Sequence, residues 1–185
     1  MNVVITGANG QLGLALTRRL SLHHSVVSLT RSDLDVSDGE ACHALLKRER
    51  PDVLLNCAAH TAVDRAEADR EQAFRINTEG PRQLGRVCDA LGILPIHFST
   101  DYVFDGAQRR PYTESDPTNP QSVYGESKLS GELALAQECA QHLIVRLSWV
   151  YGNDGSNFYR TMLRLASERP ELRVVADQFG VPNYT

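Results

Sequence analysis

Lysine is scarce in this 185-residue chain. Only Lys47 and Lys128 occur, against seventeen arginines. Tryptophan occurs once, and the formal net charge is −4. That balance weighs against nucleic-acid binding, which needs a basic face to neutralise phosphates. No apolar run approaches membrane-spanning length, so no membrane partner is expected. The four cysteines, Cys42, Cys57, Cys88 and Cys139, form no CxxC, and their spacing suits neither zinc nor a disulfide framework. They read as small buried apolar residues. The six histidines are scattered, and the adjacent His23 and His24 fall in a turn, so no metal site is expected. The N-terminus, "MNVVITGANGQLG", enters structure at once, without the charged region and cleavage site of a signal peptide; a cytoplasmic location is expected.

Hydrophobic content of 42% and charged content of 23% are those of an ordinary globular chain with one sizeable core. Strand and helix patterns alternate. Strands are predicted at 2–6, 25–30, 52–56, 94–100, 143–151 and 172–177. Helices are predicted at 11–22, 38–50, 66–91, 124–139 and 157–168, with a kink or a restart at Gly80-Pro81, where proline lacks a donor for the Asn77 carbonyl. The segment 105–122 is rich in Gly, Pro, Asp, Asn and Ser and reads as a long loop. This alternation implies an α/β fold with a doubly wound parallel sheet. Ligands bind such sheets at the carboxyl ends of the strands, so the strand ends carry the functional reading.

The first strand runs into Gly7, Gly10 and Gly13, spaced GxxGxxG. Such glycines permit a tight turn, a close backbone approach to a pyrophosphate and close helix packing. The helix N-terminus then offers free N–H groups to phosphates. The second strand ends in Thr30 and Arg31 rather than in a carboxylate, which favours the 2′-phosphate of NADPH; NADH remains open because Asp33 is near. The third strand ends in Ala58 and Ala59, small enough for a flat cofactor to pass. Ser99, Thr100, Asp101 and Tyr102 follow the fourth. Helix capping is the structural alternative there, but "VF" does not continue a helical pattern.

Tyr124 and Lys128, in "YGESK", lie at i and i+4 and so share a helix face. A lysine ammonium beside a phenol would bring its pKa toward the working range. With Thr100 holding the substrate oxygen, the set suits hydride transfer at a carbonyl or alcohol carbon.

The glycine motif, Thr100 and the YxxxK motif resemble the Rossmann-fold extended short-chain dehydrogenase/reductases. The longer strings "GANGQLG", "AAHTAVDRAE", "STDYVFDG", "NPQSVYGESKLSGE", "RLSWVYG" and "DQFGVP" resemble the dTDP-4-dehydrorhamnose reductase family over almost the whole chain. The resemblance implies that Gly7, Gly10, Gln11, Leu12 and Gly13 hold the pyrophosphate. It implies Thr30 and Arg31 at the adenosine ribose, Asp35 and Val36 near the adenine, and Ala59, His60 and Thr61 along the cofactor path. It makes Thr100, Tyr124 and Lys128 catalytic, with Tyr124 as proton donor, and turns Val63, Asp101, Tyr102 and Trp149 toward the sugar. The implied reaction is hydride transfer from NADPH to the C4 ketone of dTDP-4-dehydro-β-L-rhamnose, a dTDP-linked keto-deoxy sugar.

Related 4,6-dehydratases place Glu after the Asp where this chain has Tyr102. A regulatory subunit resembling the β subunit of methionine adenosyltransferase, or a reductase of another nucleotide-linked keto-deoxy sugar, is the alternative. Three departures stand out. Leu147 replaces the family's usual threonine. Asn183 follows Pro182 where threonine is typical, which predicts a less constrained tail. Some members bind magnesium at a dimer interface through acids, one of them in the first helix; Ala15 stands there, so no metal is expected by that route, and a homodimer stays open. The family continues into a smaller C-terminal substrate region. This chain would comprise the NADP-binding domain with the start of that region from about residue 152, and should hold cofactor better than the dTDP moiety.

Overall fold

The computed structural model describes residues 1–155, 157–175 and 177–185. Five parallel strands form one sheet: β1 (Asn2–Thr6), β2 (Ser25–Leu29), β3 (Val53–Asn56), β4 (Leu94–Thr100) and β5 (Leu143–Leu147). Their order is β2-β1-β3-β4-β5. The chain leaves β1 on one side for β2 and crosses back to β3 on the other, so strand order reverses between β1 and β3. The helices are α1 (Gln11–Leu20), α2 (Gly39–Glu49), α3 (Val63–Ala68), α4 (Arg70–Phe74), α5 (Gly80–Leu91), α6 (Val123–Glu138) and α7 (Phe158–Glu168).

β1 shows no polar alternation because both of its faces are covered. Val4 joins Leu46 of α2, Leu84 and Cys88 of α5 and Leu135 of α6 in one cluster. Val3 and Ile5 join Leu55, with Leu16 and Leu20 of α1 against them, on the other face. Local signals set the helix ends. The Asp38 carboxylate accepts the Ala41 N–H to cap α2, which stops at left-handed Arg50 just before Pro51. The Ser122 hydroxyl accepts the Gly125 N–H and opens α6. Cys42, Cys88 and Cys139 are buried free thiols, and Cys57 sits half-buried beyond β3. No helix among the described residues is long and apolar enough to cross a membrane.

Several predicted boundaries move. The helix at 11–22 ends at Leu20, and the one predicted from Ala66 begins at Val63. The predicted interruption takes the form of a restart: Arg75–Glu79 form a π-helical turn, and Pro81 then sits in the first turn of α5, where a missing N–H costs little. The strand at 143–151 is broken at Ser148–Trp149. β5 ends at Leu147, and β6 (Val150–Tyr151) pairs instead with β7 (Asn183–Tyr184). Trp149 is left-handed at φ 45°, which turns the chain out of the main sheet. Of the predicted strand 172–177, residues 172–175 and 177 have no strand partner, and Ala176 lies outside the described residues. An apolar pattern makes a strand only where an edge is available, and here Val174 and Val175 stay exposed. The tail is also better tied than Asn183 suggested, because its Oδ1 accepts the Ser148 N–H at 2.8 Å.

Candidate active site

The crevice opens where strand order reverses. Gly7, at φ 65°, turns the chain out of β1 directly against β3. A Cβ there would lie 2.6 Å from Ala58 N, so both the backbone angle and the space demand glycine. A Cβ on Gly13 would collide with the Gly7 carbonyl and lie 2.8 Å from Ala8 Cα. Gly10 meets only the Gly7 carbonyl, at 3.3 Å, and is exposed at the N-terminus of α1. Two glycines thus set the turn, and the third leaves bare backbone facing outward. Gln11 opens α1; its Oε1 accepts from Asn157 Nδ2 at 3.1 Å, and its Nε2 has no partner among the described residues. Leu12 is half-buried.

At the end of β2, the Thr30 N–H and hydroxyl both donate to the Asp33 carboxylate, at 2.8 and 2.6 Å. These bonds hold Asp33 below the usual carboxylate range and draw it into the turn, while Arg31 stays exposed. Asp35 is bonded to Ser37 and ion-paired with Arg75 of the π-helical turn. Val36 is buried against Gly80.

Beyond β3, Ala58, Ala59 and His60 are half-buried, followed by the exposed Thr61 and half-buried Val63. Buried Asn77, in the π-helical turn, fixes this segment. Its Oδ1 accepts the His60 N–H at 2.8 Å, and its Nδ2 donates to the His60 carbonyl and to Ser127 Oγ, both at 3.0 Å. His60 Nδ1 is buried with no partner among the described residues.

At the end of β4 the capping alternative is realised alongside the site. Thr100 Oγ1 accepts the Tyr102 N–H at 3.2 Å and opens a 3-10 turn, Asp101–Val103. The first turn of α6 packs on this turn through Gly125, where a Cβ would strike the Tyr102 carbonyl. That contact brings Tyr124 beside Thr100, edge-on to Tyr102 at 5.6 Å between ring centroids. Burial pushes the Tyr124 phenol above its ordinary value; the Thr100 hydroxyl pulls it down, and Asp101 and Tyr102 push it up. Asp101 is itself raised, chiefly by burial.

Lys128, four residues on from Tyr124, is buried. It lies under α6, and its Nζ donates to the Phe98 carbonyl at 2.7 Å and sits 3.3 Å from His97 Nε2. Four residues along a helix place two side chains on one face, but a long lysine stem can still carry its nitrogen into the sheet below. His97 is the outer link of a buried chain. Its Nδ1 meets Asn56 Nδ2 at 3.0 Å, and Asn56 Oδ1 accepts from Thr6 Oγ1 at 2.8 Å and from Ala58 N–H at 3.2 Å. Behind it, Arg146 of β5 forks onto buried Glu132 of α6. Trp149 stands half exposed, its indole over Gly180 and edge-on to Phe158 at 5.9 Å.

Asn77, Asn56, His97 and Gly125 escaped the sequence reading. A histidine inside an apolar strand and a glycine in a helix's first turn were the available signals, since each needs a specific neighbour. An open groove of about 610 Å³ between α2 and α5 is lined by Ser37, His43, Gln83 and Arg86, and none of the strand-end residues reaches it. Among the described residues, no group of three or more His, Cys, Asp or Glu side chains could hold a metal ion.

A glycine turn at the reversal of strand order, with a buried tyrosine and threonine at a neighbouring strand end, defines a doubly wound domain of the short-chain dehydrogenase/reductase type. The chain belongs to the RmlD substrate binding domain family, whose family model matches residues 1–185. It is 47% identical over 184 residues to dTDP-4-dehydrorhamnose reductase of Burkholderia thailandensis, covering 100% of this chain and 62% of that protein. It is 44% identical to dTDP-4-keto-6-deoxy-D-glucose reductase of Streptomyces niveus, covering 98% of this chain and 64% of that one. The fold matches the crystal structure of Bacillus anthracis dTDP-4-dehydrorhamnose reductase in complex with NADP with a TM-score of 0.97 at 39% identity, covering 99% and 66% of the two chains. The chain thus spans about three-fifths of the length of these curated relatives.

Proposed function

We propose that this chain is the cofactor-binding and catalytic portion of an NADPH-dependent reductase acting on the C4 ketone of dTDP-4-dehydro-β-L-rhamnose. The observation that carries the reading is the meeting, at one crevice, of the glycine turn and the Thr100–Tyr124 pair.

The residues present fit a dinucleotide. Gly7 and Gly13 build a turn that no side chain could enter, Gly10 leaves backbone open at a helix N-terminus, and Gln11 Nε2 and His60 Nδ1 lack partners among the described residues. Gly7 through Gly13 would hold the pyrophosphate. Thr30 and Arg31 would meet the adenosine ribose, and Asp35 and Val36 the adenine side. Ala59, His60 and Thr61 would line the remaining path. When bound, NADPH supplies hydride.

The protein's own chemistry is proton delivery. The Tyr124 phenol, kept protonated by burial, stands ready to give its proton to the oxygen of the reduced carbonyl, which is the state a donor requires. Thr100 would position that oxygen with its hydroxyl, and Lys128 would offer a hydrogen bond to the cofactor. Val63, Asp101, Tyr102 and Trp149 form the sugar-facing rim. The domain assignment, with a substrate region from about residue 152, a cytoplasmic location and an open place for a homodimer belong to the same reading. The Streptomyces niveus relative favours one alternative, reduction of another dTDP-linked keto-deoxy sugar.

Because Asp33 is tied into its turn, Arg31 is the group left to meet a 2′-phosphate. Isothermal titration should show NADPH binding more tightly than NADH, and Arg31→Ala should narrow the difference about tenfold. Tighter binding of NADH would refute the assignment. NADPH oxidation driven by dTDP-4-dehydro-β-L-rhamnose, in this chain completed to the length of its relatives, tests the reaction. NADPH binding with no turnover of any nucleotide sugar would favour the regulatory-subunit alternative.

A further inference from the structure

The hydrogen-bond chain Thr6–Asn56–His97–Lys128 runs across three neighbouring strands and into α6, and the Ala58 N–H fixes its donors and acceptors. The Ala58 N–H can only donate, so the Asn56 atom facing it is the carbonyl oxygen. That leaves the Asn56 amide nitrogen, a donor, facing His97 Nδ1. Nδ1 must therefore accept, and in a neutral imidazole the proton then sits on Nε2. Nε2 lies 3.3 Å from Lys128 Nζ. An ammonium there would set donor against donor. An amine can accept from Nε2–H, donate to the Phe98 carbonyl at 2.7 Å, and keep one hydrogen free.

We propose that His97 is a positioning residue for Lys128: locked through Asn56, it presents Nε2–H to the lysine nitrogen and so weakens that nitrogen's hold on its third proton. The surroundings agree. Burial brings Lys128 down to about 8, against the opposing pulls of Glu132 and Cys57. Glu132 is already committed to Arg146 of β5, and the Cys57 thiol, pushed up to about 12, stays neutral. His97, facing Lys128 from β4, is held well below its ordinary value chiefly by burial, and so does not charge in its place. Tyr124, one turn earlier on α6, remains a neutral phenol. The consequence for catalysis rests on the reductase reading: Lys128 would change protonation inside the working pH range, and cofactor affinity and rate would bend there.

The chain's two lysines make the test direct. In the 185-residue protein labelled at lysine Cε and Nζ, NMR should show two signals, with exposed Lys47 as internal reference. Lys128 should titrate near 8. His97→Gln offers an amide that can turn its oxygen to the lysine, and should move the Lys128 midpoint up by about one pH unit. An unchanged midpoint in that variant, or wild-type Lys128 titrating at the ordinary lysine value of about 10, would overturn the proposal. If the variant does not fold, the wild-type imidazole ¹⁵N shifts decide: above the Lys128 midpoint the His97 proton should sit on Nε2, and a proton on Nδ1 would overturn it. These measurements use neither cofactor nor substrate, so failure of the reductase reading would leave them unaffected.

Discussion

Tyr124→Phe should lower turnover about a thousandfold while leaving NADPH affinity within about twofold, because a general acid typically contributes rate rather than cofactor binding. Phenylalanine keeps the ring, its burial and its edge-on contact with Tyr102, and removes only the proton. The comparison is made in the chain completed to the length of its relatives. Retention of full activity would remove Tyr124 from the chemistry. The environment of the phenol sharpens the test. With its pKa raised above the ordinary tyrosine value by burial, Tyr124 stays protonated across neutral pH and should impose no rate change below about pH 10. A bend nearer 8 would then report on Lys128.

Gly131→Ala should cost about 3 kcal/mol of stability, at the upper end for overpacking a close contact. Gly131 lies on α6 against the Asn77 carbonyl, and a Cβ there would fall well inside van der Waals distance of that oxygen. The blocking atom is backbone, so no side-chain rotation relieves it. The π-helical turn would have to move away from α6 and carry Asn77 with it. Both backbone groups of His60 hang on the Asn77 amide, so cofactor affinity should fall together with stability. Urea unfolding and NADPH titration check the two effects. A variant as stable as the parent would show that α6 and the π-helical turn are less tightly registered than the contact implies.

The contrast between these residues shows what the sequence makes legible. Gly7, Gly10 and Gly13 could be read directly because a strand, three spaced glycines and a helix form a local arrangement with a local purpose. The parallel sheet followed from unbroken apolar runs such as "NVVIT", which only a strand covered on both faces can bury. Thr100 and Tyr124 were legible as strand-end and helix-start residues. Gly131 and Asn77 were not, since their roles depend on two helical segments meeting some fifty residues apart in the chain. Lys128 was legible only in part. Its spacing from Tyr124 correctly gave a shared helix face, but the destination of its nitrogen was fixed by His97 and the Phe98 carbonyl, which lie on another element. The break at Trp149 was likewise invisible in "LIVRLSWVY". A strand continues only while it has a neighbour, and here the chain leaves β4 to pair with Asn183–Tyr184.

The proposed step is movement of a hydride from NADPH to a sugar carbon in the crevice between the glycine turn and Tyr124. Isotopic labelling tests it most directly. NADPH carrying deuterium at C4 of the nicotinamide, prepared separately on each face, would be incubated with dTDP-4-dehydro-β-L-rhamnose and the chain completed to its relatives' length. The account predicts that one of the two labelled cofactors delivers its deuterium to C4 of the sugar, giving dTDP-L-rhamnose labelled at that carbon. Product free of deuterium with both cofactors, or no product while NADPH remains bound, would contradict it.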